Sequence, residues 1–287
     1  RLGGKTVIAS VSGGKDSAAM CLHLKEIGVP FQAVFIDTGW EHPSTYELIR
    51  DVMPRFVGPV TTIGTPGGML AVVKKKAMFP SRLRRFCTQE VKVKPMQEFL
   101  AALVDAGSEP INAVGIRAAE SKARAEMTEW EFSEGFDCET WRPLIHWPEQ
   151  DVIDIHKRHG MPPNPLYLQG ASRVGCWPCI FARKGEIKFM ARVDPGRVDL
   201  LRQLEADMTE GATMRAEAKG KPAPAPYAWF QSRNAVIPPG GGAPACLPMP
   251  IDDVVKWARD GNQEELFVDE QQGCMRWGLC DTTGESK

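Results

Sequence analysis

Thr6-Val7-Ile8-Ala9-Ser10-Val11, followed at once by Ser12-Gly13-Gly14-Lys15-Asp16-Ser17, is the stretch on which the fold turns. The first six residues are a β-branched apolar run, the pattern of a strand buried on both faces. From Asp16 the pattern becomes helical through residue 27, with Ala18 and Leu22 on one side and Gly28 placed as a C-cap. A glycine turn between such a strand and helix is where a phosphate cradle belongs. Glycines let backbone N–H groups turn inward, and the helix start adds unsatisfied donors and a positive dipole. Lys15 adds mobile charge, and Ser12 and Ser17 add hydroxyls. The spacing is neither the Walker loop nor the Gly-x-Gly-x-x-Gly fingerprint.

Outward from this stretch, strands are expected over 31–36, 60–63 and 111–116, with helices over 44–52 (ending before Pro54) and 93–104. Strands alternating with helices predict a doubly wound parallel sheet. Asp37 then falls at the carboxyl end of the second strand, where a carboxylate can accept from ribose hydroxyls or hold Mg²⁺. Arg117 follows the fourth strand at the same edge, and with Arg124 it can clamp an anion by bidentate hydrogen bonds.

From about residue 162 prolines and cysteines cluster and periodicity fades. A helix capped by Asp194 with Pro195 in its first turn, Pro/Gly-rich connectors over 219–226 and 237–250, and a helix over 252–259 are expected. The division is a first domain over 1–165 and a smaller, mostly helical or irregular one over 166–287. Such a domain often needs a metal or cluster to hold it. Cys176-Trp177-Pro178-Cys179 and Cys274…Cys280 form two local thiol pairs, enough for a tetrahedral zinc or a four-iron cluster. Cys21 reads as core, and Cys138 has no partner spacing. His156 and His159 read as an exposed helix face.

The chain has 287 residues, net charge -1, 43% hydrophobic and 25% charged residues, so nucleic-acid binding would need a local patch. Lys74-Lys75-Lys76 with Arg82, Arg84 and Arg85 reads equally as a solvated loop or as that patch. With no signal-peptide pattern and no long apolar run, a cytoplasmic protein without membrane contact is expected.

Ser12 to Ser17 also resembles the PP-loop of N-type ATP pyrophosphatases. Further motifs narrow the likeness to the phosphoadenosine-phosphosulfate-reductase-like family. They are Phe35-Ile36-Asp37-Thr38-Gly39, Cys87-Thr88-Gln89-Glu90 through Pro95, Gly115-Ile116-Arg117 with Ser121 and Arg124, and Trp141-Arg142-Pro143-Leu144-Ile145-His146-Trp147. The likeness runs over roughly 5–190. It implies an adenine nucleotide alpha hydrolase-like fold and ATP with Mg²⁺ as ligands. Ser12, Gly13, Gly14, Lys15, Asp16, Ser17, Asp37, Thr38, Gly115, Arg117 and Arg124 would bind the nucleotide. Lys15, Asp16, Asp37 and Arg117 would form the catalytic set. It also implies a [4Fe-4S] cluster on Cys176, Cys179, Cys274 and Cys280, with zinc as the alternative. The leading expectation is adenylylation of an acceptor with pyrophosphate release, coupled to sulfur transfer. A donor such as a cysteine desulfurase would supply sulfur, and a nucleic-acid acceptor and a homo-oligomer are left open. The alternatives are a sulfonucleotide reductase and a nucleotide-sensing or DNA-modification module. The reductases' Glu-Cys-Gly-(Ile/Leu)-His segment is not found here, which disfavours the reductase.

Overall fold

The computed structural model describes residues 1–232, 246–260 and Trp277. One sheet holds six strands: β1 (Thr6–Val11), β2 (Phe31–Asp37), β3 (Val60–Gly64), β4 (Pro110–Val114), β5 (Trp130–Ser133) and β6 (Cys138–Trp141). Their spatial order is β3-β2-β1-β4-β6-β5. Every neighbouring pair is parallel except β5, which runs antiparallel to β6 at the edge.

The pleat explains why β1 is apolar on both faces. Val7, Ala9 and Val11 point into one core with Ala18 and Leu22 of α1 (Lys15–Glu26) and with Val152 and Ile155 of the helix Glu149–His159. Ile8 and Val34 point the other way, onto Met96 and Leu100 of the helix Lys94–Asp105. This is a doubly wound α/β sheet. From β1 the chain builds β2 and β3 on one side and β4 and β6 on the other. The switch of direction therefore falls between β1 and β4, and their carboxyl ends form the crevice that such sheets use for ligands.

Three local features differ from the sequence reading. The helix expected to stop before Pro54 continues through Pro43–Glu47, a π-type stretch Leu48–Val52 and Pro54–Val57. Pro54 opens the last piece, where its missing N–H is no loss, and the wide turn before it lets Met53 N–H reach Leu48 O at 2.8 Å. The hairpin of β5 and β6 was not anticipated. Lys74, Lys75 and Lys76 form the last turn of a helix, Gly68–Lys76, rather than a loop.

The chain groups into two compact units, one of 1–68, 88–177 and 269–287, the other of 69–87 and 178–268. The first contains the sheet. The second is built on the helices Lys184–Val193, Pro195–Glu217 and Ile251–Arg259. Asp194 caps the longest of them, its Oδ1 accepting from Arg197 N–H at 3.0 Å. Buried Glu205 on that helix accepts from the N–H groups of Trp229 and Ile251, both at 2.9 Å. Among the described residues no helix is long and apolar enough to cross a membrane.

Candidate functional site

The loop after β1 is held by side chains at three of its carbonyls, those of Gly13, Gly14 and Lys15. Gly13 has φ +72°, and a Cβ there would sit 2.4 Å from Thr45 Cγ2, so only glycine fits. Asn164 Nδ2 donates to Gly13 O at 3.2 Å and to Thr45 Oγ1 at 3.0 Å. Ser17 Oγ donates to Gly14 O at 3.0 Å and accepts from Ser12 N–H at 3.1 Å. His156 Nε2 lies 2.9 Å from Lys15 O, and Lys15 N–H donates to the Tyr167 hydroxyl at 3.3 Å. Gly14, the N-cap of α1, has no side chain to cap that end, and the one carboxylate of the first turn, Asp16, is engaged by Lys15 and Arg117. A helix start of this kind suits an anionic ligand.

Charge at this end is concentrated and buried. Lys15 and Arg117 are 8% and 4% exposed. Lys15 Nζ is 2.8 Å from Asp16 Oδ2 and 3.3 Å from Glu149 Oε1, and Arg117 Nε pairs closely with Asp16 Oδ1. Burial opposes the charge on Asp16, but Lys15 and Arg117 outweigh it and hold its pKa below the usual carboxylate range. Burial likewise opposes the charge on Lys15, yet Tyr167, Asp16 and Glu149 raise its pKa above that of an ordinary lysine. Arg117 reaches this point because Gly115 lets β4 approach the loop. A Cβ on Gly115 would lie 2.7 Å from Asp16 O and 2.8 Å from Ser17 Cα.

The turn after β2 is also braced. Asp37 Oδ1 accepts from Gly39 N–H at 2.7 Å and from the Tyr46 hydroxyl at 3.0 Å. Thr38 is buried, and its hydroxyl donates to Glu41 Oε1 at 2.5 Å. A cavity of about 390 Å³ opens at the ends of β2 and β3, lined by Asp37, Gly39, Thr62, Gly64, Thr65 and Gly68 among others. Arg124 pairs with Glu120, whose carboxylate also accepts from Arg117 N–H at 2.9 Å.

Of the cysteines, Cys21 lies in the sheet's first core and Cys138 in its second. Cys87, Cys176, Cys179 and Cys246 are half-buried and unbridged. Trp177, next to Cys176, donates its N–H to Trp40 O at 2.7 Å. Phe181 N–H points at Cys179 Sγ at 3.5 Å. Cys274 and Cys280 lie outside the described residues. Trp277 is buried, edge-on to His156 at 5.3 Å and tilted against Tyr167 at 6.1 Å.

The model of the phosphoadenosine phosphosulfate reductase domain matches residues 6–182. The chain belongs to that family. An uncharacterized 37.8 kDa protein of Escherichia phage 186 is 34% identical over 231 residues, covering 63% of this chain and 68% of that protein. The adenosine 5'-phosphosulfate reductase of Staphylococcus haemolyticus is 30% identical over 179 residues, covering 61% of this chain and 71% of the reductase. The crystal structure of a phosphoadenylyl-sulfate reductase from Candida auris in a phosphate complex aligns over 60% of this chain and 81% of that one, with a TM-score of 0.46 and 22% identity. Membership makes this a nucleotide-binding enzyme of the PP-loop superfamily.

The sequence reading missed the supports of the loop. His156, expected on an exposed face, is 1% exposed. The signal was available: it lies four residues after Val152 and one after Ile155, on the buried stripe of its helix. Asn164 and Tyr167 gave no local sign, because they act on a loop some 150 residues away.

Proposed function

We propose that the chain binds ATP by its phosphates at the Ser12–Ser17 loop and adenylylates an acceptor, as the first half of a sulfur transfer. The observation that carries this reading is the pair of buried cations, Lys15 and Arg117, converging on Asp16 at the start of α1. An acceptor oxygen attacks the α-phosphorus while the bond to pyrophosphate breaks, and the acceptor's proton passes to solvent. Lys15, Arg117 and the loop N–H groups stabilise the charge that grows on the leaving pyrophosphate. A sulfur nucleophile then attacks the activated carbon, forming C–S as C–O breaks and AMP leaves. A cysteine desulfurase is the kind of protein that would feed it.

Asp37 suits Mg²⁺, which takes one or two carboxylates plus phosphate oxygens. Its Oδ1 is already oriented by Gly39 and Tyr46. Thr38 supports that turn from inside, while Ser12 and Ser17 shape the loop. Arg124, paired with Glu120 and partly exposed, is placed to change partners for an incoming anion. Cys176 and Cys179, with Cys274 and Cys280, would hold a four-iron cluster or zinc. The N–H bond to Cys179 Sγ fits a thiolate ligand. When bound, a cluster supplies electrons or a site for sulfide.

A second reading, reduction of a sulfonucleotide, is favoured by the relative named adenosine 5'-phosphosulfate reductase. One experiment separates the two. Anaerobically purified protein should release pyrophosphate and AMP from ATP with Mg²⁺, and Lys15→Ala should abolish the release. Thioredoxin-dependent sulfite from adenylylsulfate, with no pyrophosphate from ATP, would replace the first reading by the second.

A further inference from the structure

Residues 69–87 carry six cations and no carboxylate in a chain whose net charge is -1, so positive charge is segregated here rather than in excess. All six (Lys74, Lys75, Lys76, Arg82, Arg84 and Arg85) are exposed. The three lysines end the helix Gly68–Lys76, where a C-terminal dipole favours cations, so they alone carry little. The arginines have no such excuse. They sit on a tight loop in which Ser81 and Arg84 exchange backbone hydrogen bonds at 3.1 and 3.2 Å. Arg82 and Arg85 both stack on one ring, that of Phe181, with guanidinium carbons 5.4 and 5.0 Å from its centroid. Leu83, 87% exposed, stands between Arg82 and Arg84.

Some exposed arginines elsewhere in this protein sit in ion pairs. Arg50 meets Asp51, Arg158 meets Glu26, and Arg202 meets Asp199 and Asp252. Among the described residues Lys74, Lys75, Arg82 and Arg84 meet no carboxylate. Two like charges held on one aromatic face, beside Lys74, Lys75 and Arg84, make a surface organised for an external polyanion. A ring that fixes guanidinium planes lowers the entropy lost on binding.

We infer that this face binds the phosphate backbone of a nucleic acid, with Leu83 set against a base. Arginine forks match phosphodiester oxygens, and an apolar residue flanked by arginines suits a wedge at a base step. A membrane surface fits less well. Met69, Val72 and Val73 of the helix are buried at 2%, 6% and 1% exposure and Leu70 is half-buried, which leaves Leu83 as the large apolar side chain of 69–87 that stands fully exposed. That the bound nucleic acid is also the acceptor rests on the function proposed above; the binding itself does not.

The test is fluorescence anisotropy of labelled single-stranded DNA, duplex DNA and a folded RNA against the full chain, without ATP, across a salt series. At least one should bind, with log affinity falling by about 0.7–0.9 per log salt for each phosphate contact. Arg82→Glu with Arg85→Glu should weaken binding at least about tenfold and flatten the slope by about two contacts. Arg84→Glu, which leaves Phe181 untouched, should do the same by about one contact. Lys157→Glu, an exposed cation on the helix Glu149–His159, should change nothing. No binding at low salt, equal binding by the variants, or tighter capture by phosphatidylserine vesicles or polyglutamate would overturn the inference. Pyrophosphate release is measured separately, so either claim can fail without the other.

Discussion

Asp16 is a largely buried carboxylate and Glu205 a buried one, and the two compact units hold them in opposite ways. Asp16 lies between the cations Lys15 and Arg117, which keep its pKa low against the cost of burial. Glu205 meets two backbone N–H groups instead, and burial raises its pKa despite them. Glu205 is therefore a staple: it ties one helix to the starts of two other segments through backbone N–H groups rather than cations. Asp16 organises charge that exceeds its own. Two buried cations meet Asp16, and Glu149, a more exposed carboxylate, brings the formal balance to zero at the place where the sheet gathers ligands.

The sharpest way to break this contrast is Asp16→Asn. It leaves Lys15 and Arg117 buried and short of their main counter-charge, which should cost about 3–5 kcal/mol of stability by chemical denaturation. Added pyrophosphate should recover more of the melting temperature in the variant than in the wild type, because the anion takes the place of the lost carboxylate. A loss below about 1 kcal/mol would mean that the network is not the tight one described.

Glu205→Ala should cost about 2–4 kcal/mol, since two N–H groups lose their acceptor inside the protein. Here pyrophosphate should raise the melting temperature by the same amount as in the wild type. A selective loss of that response would mean that Glu205 serves the ligand site after all.

How far the sequence disclosed these two carboxylates differs as well. Asp16 was legible because it sits in a glycine loop bounded by a mostly apolar strand and a helix with an apolar, buried middle, both local patterns. Strands β1 to β4 were legible for the same reason. Strands β5 and β6 were not. Trp130-Glu131-Phe132-Ser133 and Cys138-Glu139-Thr140-Trp141 are four residues each, mix polar with apolar, and gain strand identity only by pairing at the sheet edge. Glu205 lies mid-helix among Gln203, Leu204 and Asp207 and reads as solvated until the fold brings Trp229 and Ile251 onto it. Lys74 to Lys76 read as loop because three lysines obscure the helical stripe of Met69, Val72 and Val73.

The smallest expected effect concerns the support of the loop. His156 is buried with Nε2 at 2.9 Å from Lys15 O and Nδ1 at 3.2 Å from Met161 O. Burial lowers its pKa; the two carbonyls and Asp16 pull the other way, Lys15 adds to the lowering, and the net shift is downward. The folded protein therefore keeps this ring neutral at a pH where the unfolded chain, near the ordinary value of about 6.5, takes up a proton. More protons bind to the unfolded state, so stability is unaffected by this group above about pH 7 and falls as pH drops through the histidine range. The slope from one such group is at most about 1.4 kcal/mol per pH unit. His23 contributes in the same direction: burial lowers its pKa, Glu26 opposes this and Arg158 adds to it. In His156→Gln the side-chain amide can still donate to Lys15 O, but it does not titrate. Denaturation curves across this range should show the variant losing part of the wild-type slope while keeping most of the stability at neutral pH. Profiles that run parallel would mean that His156 supports the loop without linking it to pH, and that the acid sensitivity belongs to His23 and the carboxylates.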